Sequence, residues 1–344
     1  MRISVVMPTL NSAKHIKYSL DSLANQTFNC FEVIAIDSGS VDGTVDIIRS
    51  YNGKRLFVRI LFSPDLSPAT ARNVGIENAL GDYIAFCDSD DIMKPDMLNI
   101  LYKTAEAENA DIAVCDFDMK YSERIIENFA RLTDEKFEFP QQDRIVDYYY
   151  RFCAAPKPNN YVWSRLYRRG FLMDNAIRFP DIRYSEDHLF NLSALLKTPR
   201  INHIGQSLYR YIQHDDSAMR KHIRRVNHGV LFLEGFNRAS EALADIEPDI
   251  SRPILAIYAY TRVKSILFYA WQAKLPSVDI QNAVSVFVFD ASVKKHLSLC
   301  LERGYIGQYC RLHGFSNEWE NTVRAMLRAC IDNTELPDMN EVFT

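Results

Sequence analysis

The chain has 344 residues, which at ~150 residues per domain suggests about two domains. Hydrophobic residues make up 47% and charged residues 24% of the sequence, as in a folded globular protein rather than a disordered, collagenous or coiled-coil one. The formal net charge is −4. Proteins that bind DNA or RNA duplexes usually have an excess of basic residues, so we expect no nucleic-acid partner.

The cysteines and the apolar segments indicate the compartment. Seven widely spaced cysteines include no C-x-x-C pair, which favours free thiols over a zinc ribbon. The apolar run before Pro8 is shorter than the core of a secretory signal, and Arg262 and Lys264 interrupt the most apolar later segment. We therefore expect a cytoplasmic protein, either free or peripherally attached to the inner face of the membrane.

Strands and helices alternate in the N-terminal part of the sequence. The predicted strands are 3–7, 31–37, 56–62, 82–87 and 111–117, and the predicted helices are 11–25, 42–51, 68–79 and 95–108. Nearly continuous apolar strands between helices of this length predict an α/β fold, with a mostly parallel sheet flanked by helices.

The pattern changes further along the chain. Residues 119–214 show mixed short elements, and helices are predicted at 226–243, 252–273, 279–303 and 317–331. We therefore expect an α/β domain over residues 1–220 and a C-terminal helical region over residues 221–344.

A run of carboxylates follows the fourth predicted strand. Asp88, Asp90 and Asp91 lie within four positions, where their charges repel. Ligands bind beyond the carboxyl ends of strands in parallel sheets, and hard oxygen ligands suit Mg²⁺ or Mn²⁺ together with substrate phosphates. The alternative is an acidic turn that caps the helix near Pro95.

Two further polar sites follow predicted strands. Asp37 ends the second strand, where it could accept a hydrogen bond from a nucleobase, whereas Asp42 is typical of a helix cap. Arg72 lies in the first turns of the helix 68–79 and could bind a phosphate or a base, because arginine suits planar recognition. A surface arginine is the alternative.

Two candidate sites lie later in the chain. Glu186 and Asp187 are acidic residues of the kind that stabilise the start of a helix. Asp187 therefore has two interpretations, a helix-capping residue or a general base. His214 could bind the same metal or touch a diphosphate, although a lone histidine is more often structural.

Several segments in order resemble the inverting family 2 glycosyltransferases, which have the GT-A fold. They are SVVMPTLN, QTFNCFEVIAIDSGSVDGT, ATARNVGIENALGDYIAFCDSDD, NYVWSRLYRRGFL, SEDHLF and LYRYIQHDDS. The resemblance covers about residues 1–217 and implies a GT-A domain followed by a helical appendage. It also implies a nucleotide-diphosphate sugar donor, commonly with uracil as base, and Mn²⁺ or Mg²⁺ as cofactor.

The resemblance implies roles for individual residues. The residues that it assigns to donor binding are Pro8, Thr9, Asn11, Asp37, Arg72, Asp88 and Ser89. It assigns the metal to Asp90 and His214 and the acceptor to Trp163 and Glu186. It makes Asp187 the catalytic base.

The expected function is metal-dependent, inverting transfer of a sugar to a hydroxyl of a glycan or lipid-linked acceptor, in bacterial surface polysaccharide or glycoconjugate synthesis. A sugar-nucleotide-binding protein without catalysis is one alternative. A nucleotidyltransferase is another, although residues 8–14 contain no glycine for a phosphate loop.

The apolar segment 253–271 has two interpretations. It favours a helix buried in a bundle or in a homodimer contact, since it is apolar on nearly all sides. With the basic residues Lys221, His222, Arg224 and Arg225 upstream, it could instead contact a membrane surface.

Overall fold

The computed structural model describes residues 1–53, 56–122, 124–139, 143–182, 184–214, 228–337 and 339. They divide into two compact units, one of Met1–Pro140 with Asn159–His214, and one of Gln141–Pro158 with Asp215–Thr344. The domain boundary predicted at residues 220–221 lies outside the described residues. The prediction did not separate residues 143–158, which the structure groups with the second unit.

The first unit is built around a single sheet. Its strands are β1 Ile3–Thr9, β2 Phe31–Asp37, β3 Val58–Phe62, β4 Tyr83–Phe86, β5 Ile92–Met93, β6 Ile112–Tyr121, β7 Arg124–Ile126, β8 Glu135–Phe137, β9 Arg165–Arg168 and β10 Ile201–Gln213. Their order among the described residues is β3-β2-β1-β4-β9-β6-β10-β5, with β7 beside β6 and β8 beside β10.

The sheet is mostly parallel, as predicted. The neighbours β3, β2, β1 and β4 run parallel to one another, and so do β6 and β10. However, β9 lies antiparallel between β4 and β6, so the fifth predicted strand does not pair with the fourth. Local sequence pattern does not reveal this insertion, because β9 is short and comes from far along the chain.

The helices of the two units follow in chain order. They are α1 Ile16–Ala24, α2 Thr44–Tyr51, α3 Pro68–Asn78, α4 Met97–Ala107, α5 Asp143–Tyr148, α6 Arg169–Asp174, α7 Glu186–Leu195, α8 His228–Ala242, α9 Pro248–Gln272, α10 Ser277–Val288, α11 Ala291–Glu302, α12 Tyr305–Leu312 and α13 Asn317–Asp332. Of these, α1 to α4, α6 and α7 lie in the first unit.

Local chemistry decides where the first two helices begin. The predicted start of α1 at Asn11 was too early, because Asn11 has a left-handed backbone with φ of +48° and belongs to a loop. The carboxylate of Asp42 accepts a hydrogen bond from the N–H of Thr44, the first residue of α2, at 3.1 Å. Asp42 therefore supports the start of this helix, but the predicted start at residue 42 was two residues too early and the N-cap position is Gly43.

Helix α3 packs unusually close to the sheet. A Cβ atom on Gly75 would lie 2.3 Å from Cγ1 of Val6 in β1, so only glycine permits this approach. The start of α3 is fixed by Pro68 in the first turn and by Ser67, whose side chain accepts a hydrogen bond from the N–H of Thr70. These two constraints set the position of Arg72, which lies between them on α3.

The second unit is helical, with its core along α9. The α9 side chains of Ile254, Ile257, Tyr258 and Val263 are fully buried, so the prediction of a helix buried in a bundle is confirmed. The dimer contact stays a prediction. The upstream basic cluster at residues 221–225 lies outside the described residues.

Hydrogen bonds explain why residues 143–158 belong to the second unit. The hydroxyl of Tyr150 donates to the carbonyl of Pro253 in α9 at 3.2 Å, and that of Tyr309 in α12 donates to the carbonyl of Ala154 at 2.9 Å. The predicted helix 279–303 is two helices, because Asp290 caps a new start by accepting from the N–H groups of Ser292 and Val293. Helix α12 was not predicted.

Two further expectations concern the whole described chain. All seven cysteines lie in described ranges and form no disulfide, as predicted. Of the helices that the structure describes, none combines the length and the apolarity required to cross a membrane.

The close packing at Gly75 is testable by substitution. We expect Gly75→Ala to lower the free energy of unfolding by about 2 kcal/mol, because the added methyl group overpacks the contact with Val6. Gly170→Ala is the matched control, since a Cβ on Gly170 would meet no atom nearer than 3.9 Å. Urea unfolding of both variants measures the effect, and equal midpoints for Gly75→Ala and wild type would contradict it.

Candidate functional site

The carboxyl ends of β1 and β2 form the first part of the site. Thr9 in β1 and Asp37 in β2 are register partners at these ends. Pro8, the residue before Thr9, is half-buried. The Asp37 side chain is 1% exposed and accepts hydrogen bonds from Oγ1 of Thr9 at 3.1 Å and from the N–H groups of Gly39 and Ser40 at 3.0 and 2.9 Å. The carboxylate is therefore fixed at the edge of the sheet.

The loop after β1 connects this edge to two neighbouring loops. Oδ1 of Asn11 accepts from the N–H of Val41, and the N–H of Asn11 donates to Oγ of Ser40, both at 2.9 Å. On the other side, Oγ of Ser12 lies 2.7 Å from Oγ of Ser89 in the loop after β4. The loops after β1, β2 and β4 therefore converge, as the sequence predicts.

Burial divides the acidic loop after β4 into two parts. Asp88 and Asp90 are half-buried, whereas Asp91 is fully buried. Asp91 accepts from the hydroxyl of Tyr209 at 2.9 Å and from the N–H of Ile212 at 2.8 Å, and burial raises its pKa well above the ordinary value. Asp91 thus anchors the loop, which leaves Asp88 and Asp90 at the edge. The N-cap position of α4 is Asp96, five residues beyond Asp91, so helix capping does not explain the cluster.

Arg72 brings the acidic loop and the start of α7 together. Its side chain is 6% exposed, so the alternative of a surface arginine is wrong. Nη2 lies 3.0 Å from Oδ1 of Asp88, and Nη1 lies 3.3 Å from Oδ1 of Asp187 and 3.4 Å from Oε1 of Glu186. One guanidinium therefore contacts three carboxyl groups from two separate parts of the chain.

Within this cluster, Asp187 has a pKa far from the ordinary value of an aspartate. Burial raises its pKa to about 7, while the positive charge of Arg72 opposes the rise and the negative charges of Glu186 and Asp88 add to it. Burial also raises the pKa of Glu186. With 19% of its side chain exposed, Asp187 can still be reached by a ligand. A reachable carboxyl group that titrates near neutral pH suits proton transfer.

Trp163 lies in an aromatic stack rather than on the surface. Its side chain is 2% exposed and stacks on Tyr209 at a centroid distance of 4.4 Å and on Tyr161 at 4.6 Å. This packing supports Tyr209, and thereby the hydrogen bond to Asp91. A role for Trp163 in acceptor binding stays a prediction.

His214 follows the last residue of β10. Its ring stacks on that of His15 with centroids 3.9 Å apart. Because the N–H of Ile212 binds Asp91, the end of β10 lies beside the acidic loop. The Nε2 atom of His214 is buried and has no hydrogen-bond partner within the described part of the chain.

The donor atoms present fit an open metal site rather than a closed one. No group of three His, Cys, Asp or Glu side chains in the described ranges could hold a metal ion. Mg²⁺ usually binds one or two carboxylates and completes its shell with substrate phosphates and water. The half-buried carboxylate of Asp90 is compatible with such a site, as is Nε2 of His214, which has no partner among the residues described.

Sequence reasoning assigned no role to Asn73, Phe179 or Tyr209, although all three shape the site. Asn73 clamps the backbone of Phe179, donating to its carbonyl at 2.8 Å and accepting from its N–H at 2.9 Å. The ring of Phe179 in turn lies 5.5 Å from the guanidinium of Arg72. Tyr209 and Asp91 also lie in motifs that the sequence singled out, but their partners are distant in sequence and only the fold reveals them.

Comparison with known sequences finds a family match in the first half of the chain. Residues 4–173 match the model described as "Glycosyl transferase family 2". The chain is 29% identical over 229 residues to "Uncharacterized glycosyltransferase YibD" of Escherichia coli, covering 64% of each chain. It is also 29% identical over 215 residues to "Poly(ribitol-phosphate) beta-N-acetylglucosaminyltransferase TarS" of Staphylococcus aureus, covering 61% of this chain but 35% of TarS.

Solved structures give the same result for the fold. The structure of Staphylococcus aureus TarS 1–349 in complex with UDP-GlcNAc superposes with a TM-score of 0.71 at 22% identity, covering 99% of this chain and 89% of that one. A mannosyltransferase from Pyrobaculum calidifontis, in complex with GDP-Man and Mn²⁺, superposes with a TM-score of 0.53 at 18% identity, covering 93% and 87%. Residues 4–173 thus match glycosyl transferase family 2, and the chain has the GT-A fold with a C-terminal helical region.

The raised pKa of Asp187 predicts how stability changes with pH. Between about pH 4 and 7 the folded protein binds the Asp187 proton and the unfolded chain does not, so this group makes stability fall as pH rises. Asp187→Asn removes that titration. We therefore expect the stability of the variant relative to wild type to increase from about pH 5 to 7 and then level off.

Urea unfolding at several pH values measures this difference. Asp46→Asn is the control, because the Asp46 side chain is 81% exposed on α2. A stability difference for Asp187→Asn that stays constant across this pH range would contradict the prediction.

Proposed function

We propose that this protein transfers a sugar from a nucleotide-diphosphate donor to a hydroxyl of a glycan or lipid-linked acceptor, with inversion at the anomeric carbon. The observation that carries the proposal is the cluster of Asp88, Glu186 and Asp187 around Arg72 at the carboxyl edge of the sheet. This cluster supports the proposal, because groups suited to donor binding lie next to a carboxyl group that can accept a proton near neutral pH.

The edge formed by β1 and β2 is proposed to bind the nucleotide. Asp37 is held there by four hydrogen-bonded groups of its neighbours, including the Oγ of Ser40 at 2.5 Å. In our proposal its carboxylate contacts the base, and Pro8, Thr9 and Asn11 line the same pocket. The complex of TarS with UDP-GlcNAc supports UDP as the nucleotide.

The other donor groups are proposed to lie along the acidic loop. Asp88 and Ser89 contact the ribose or the sugar, and Arg72 helps to hold the nucleotide. Asp90 and His214 would hold a Mn²⁺ or Mg²⁺ ion. When bound, the ion supplies a Lewis acid that neutralises charge developing on the leaving diphosphate.

In the proposed reaction, Asp187 is the general base. Its carboxylate takes the proton of the acceptor hydroxyl as that oxygen forms a bond to the anomeric carbon and the bond to the donor phosphate breaks. Attack opposite the leaving group inverts the anomeric centre in one step. Arg72 keeps Asp187 oriented, and Glu186 and Trp163 are proposed to face the acceptor. Since the base must be ionised, we expect the rate to increase with pH through about 7.

The proposed setting is the synthesis of bacterial surface polysaccharide or glycoconjugate on the cytoplasmic face of the membrane. The name of TarS as a poly(ribitol-phosphate) N-acetylglucosaminyltransferase supports a cell-surface polymer as the product.

A donor screen tests the function. We expect purified protein with Mn²⁺ to release nucleoside diphosphate from one of a set of UDP-, GDP- and dTDP-sugars when glycan or lipid-linked acceptors are added. Asp187→Asn should still bind the donor but lose transfer by at least ~100-fold, because the proton acceptor is gone.

The same screen separates the alternatives. Release of pyrophosphate would indicate a nucleotidyltransferase, and donor binding without transfer to any acceptor would indicate a binding protein. Wild-type turnover by Asp187→Asn would remove Asp187 from the proposed role.

The proposed role of Asp90 is tested by metal titration. We expect Asp90→Ala to weaken the Mn²⁺-dependent binding of UDP by about tenfold or more, because a carboxylate ligand is lost. Calorimetric titration of UDP at increasing Mn²⁺ concentrations measures this. Asp46→Ala, a change at an exposed carboxylate on α2, is the control. An unchanged Mn²⁺ dependence would count against Asp90 as a ligand.

A further inference from the structure

Two imidazole rings stack within the first unit, and sequence reasoning assigned a role to one of them alone. His15 is the residue before α1, and His214 is the residue after β10. Their ring centroids are 3.9 Å apart and their planes are inclined by 26°. The stack therefore connects the loop after β1 to the end of β10, two segments that lie far apart in sequence.

The backbone of His15 is well anchored. Its N–H donates to the carbonyl of Ser12, and its own carbonyl accepts from the N–H of Tyr18, both at 2.9 Å. Ser12 is held in turn, because its N–H donates to Oγ1 of Thr44 at 2.8 Å and its Oγ lies 2.7 Å from that of Ser89. The ring of His15 therefore projects from a loop that is bound to the acidic loop.

The side chain of His214 depends more on its neighbours. The strand before it is fixed, since Gln213 pairs with Tyr121 in β6 and the N–H of Ile212 binds Asp91. Beyond that pairing, the packing of His15 on one face restrains the ring. Nε2 of His214 is buried without a hydrogen-bond partner among the residues that the structure describes. A buried polar atom in this state is unfavourable unless a ligand supplies the partner.

We propose that His15 is a positioning residue, whose ring holds that of His214 so that Nε2 can bind the metal ion or the diphosphate of the donor. This inference rests on the proposed function and adds a residue to it. His15 needs no contact with the ligand, because its contribution is a flat aromatic face against the ring of His214.

Calorimetric binding of two probes tests this role. UDP with MnCl₂ carries the diphosphate, whereas uridine lacks it. We expect His15→Ala to weaken UDP binding by about three- to tenfold and to leave uridine binding unchanged. His15→Phe keeps a flat ring and should bind UDP within about twofold of wild type. Tyr18→Ala, at a side chain 65% exposed on α1, is the control for a general effect on this helix.

A double-mutant cycle with His214→Ala separates coupling from local damage. We expect His15→Ala to cause no further loss of UDP affinity once His214 is alanine, because the ring that it positions is gone. Should His15→Ala fail to fold, His15→Leu and His15→Phe can be compared instead. Both side chains are apolar, but only phenylalanine has a flat aromatic ring.

Three results would overturn the inference. They are unchanged UDP affinity in His15→Ala, an equal loss of uridine affinity, and full additivity with His214→Ala. The proposed function fails separately, namely if wild-type protein binds none of UDP, GDP and dTDP in the presence of MnCl₂.

Discussion

The site depends on one buried cation and the carboxylates around it. The guanidinium of Arg72, 6% exposed, lies within 3.0 to 3.4 Å of oxygen atoms of Asp88, Glu186 and Asp187. Each partner is costly to bury alone, and removing one member of a buried ion pair typically costs about 3–5 kcal/mol. The same contacts that stabilise the cluster hold α3, the loop after β4 and the start of α7 together. Gly75 lets α3 approach β1 closely, and Arg72 lies on the same helix. The packing of the α3 backbone therefore also sets the position of the buried charge.

Burial explains why neighbouring aspartates of one loop differ. Asp91 is fully buried, and its carboxyl group accepts two hydrogen bonds from β10. These bonds replace the hydrogen bonds to water that burial removes. Asp88 and Asp90 stay half-buried at the edge of the sheet. The stack of Trp163 on Tyr209 supports the hydroxyl that holds Asp91. One acidic motif thus contains both a buried anchor and half-buried carboxyl groups at the edge of the sheet.

The chemistry follows from two opposing influences on one carboxyl group. Burial and the nearby negative charges raise the pKa of Asp187, and Arg72 limits the rise, so that the group titrates at about 7. A base with this pKa is ionised in an appreciable fraction at neutral pH and still has a useful affinity for a proton. This balance supports Asp187 as the proton acceptor in the proposed sugar transfer.

The sequence by itself determined the alternation of strands and helices, the mostly parallel sheet, the helical C-terminal part and the resemblance to family 2 glycosyltransferases, because apolar periodicity and ordered motifs are local properties. It also singled out Asp37 at the end of a strand, Asp187 at the start of a helix and Arg72 within α3. The tertiary structure alone decided that β9 separates β4 from β6 and that residues 143–158 belong with the helices. It also decided that Asp91 is an anchor and that His15 stacks on His214. These features depend on contacts between segments distant in the chain, and no local pattern of residues records such contacts.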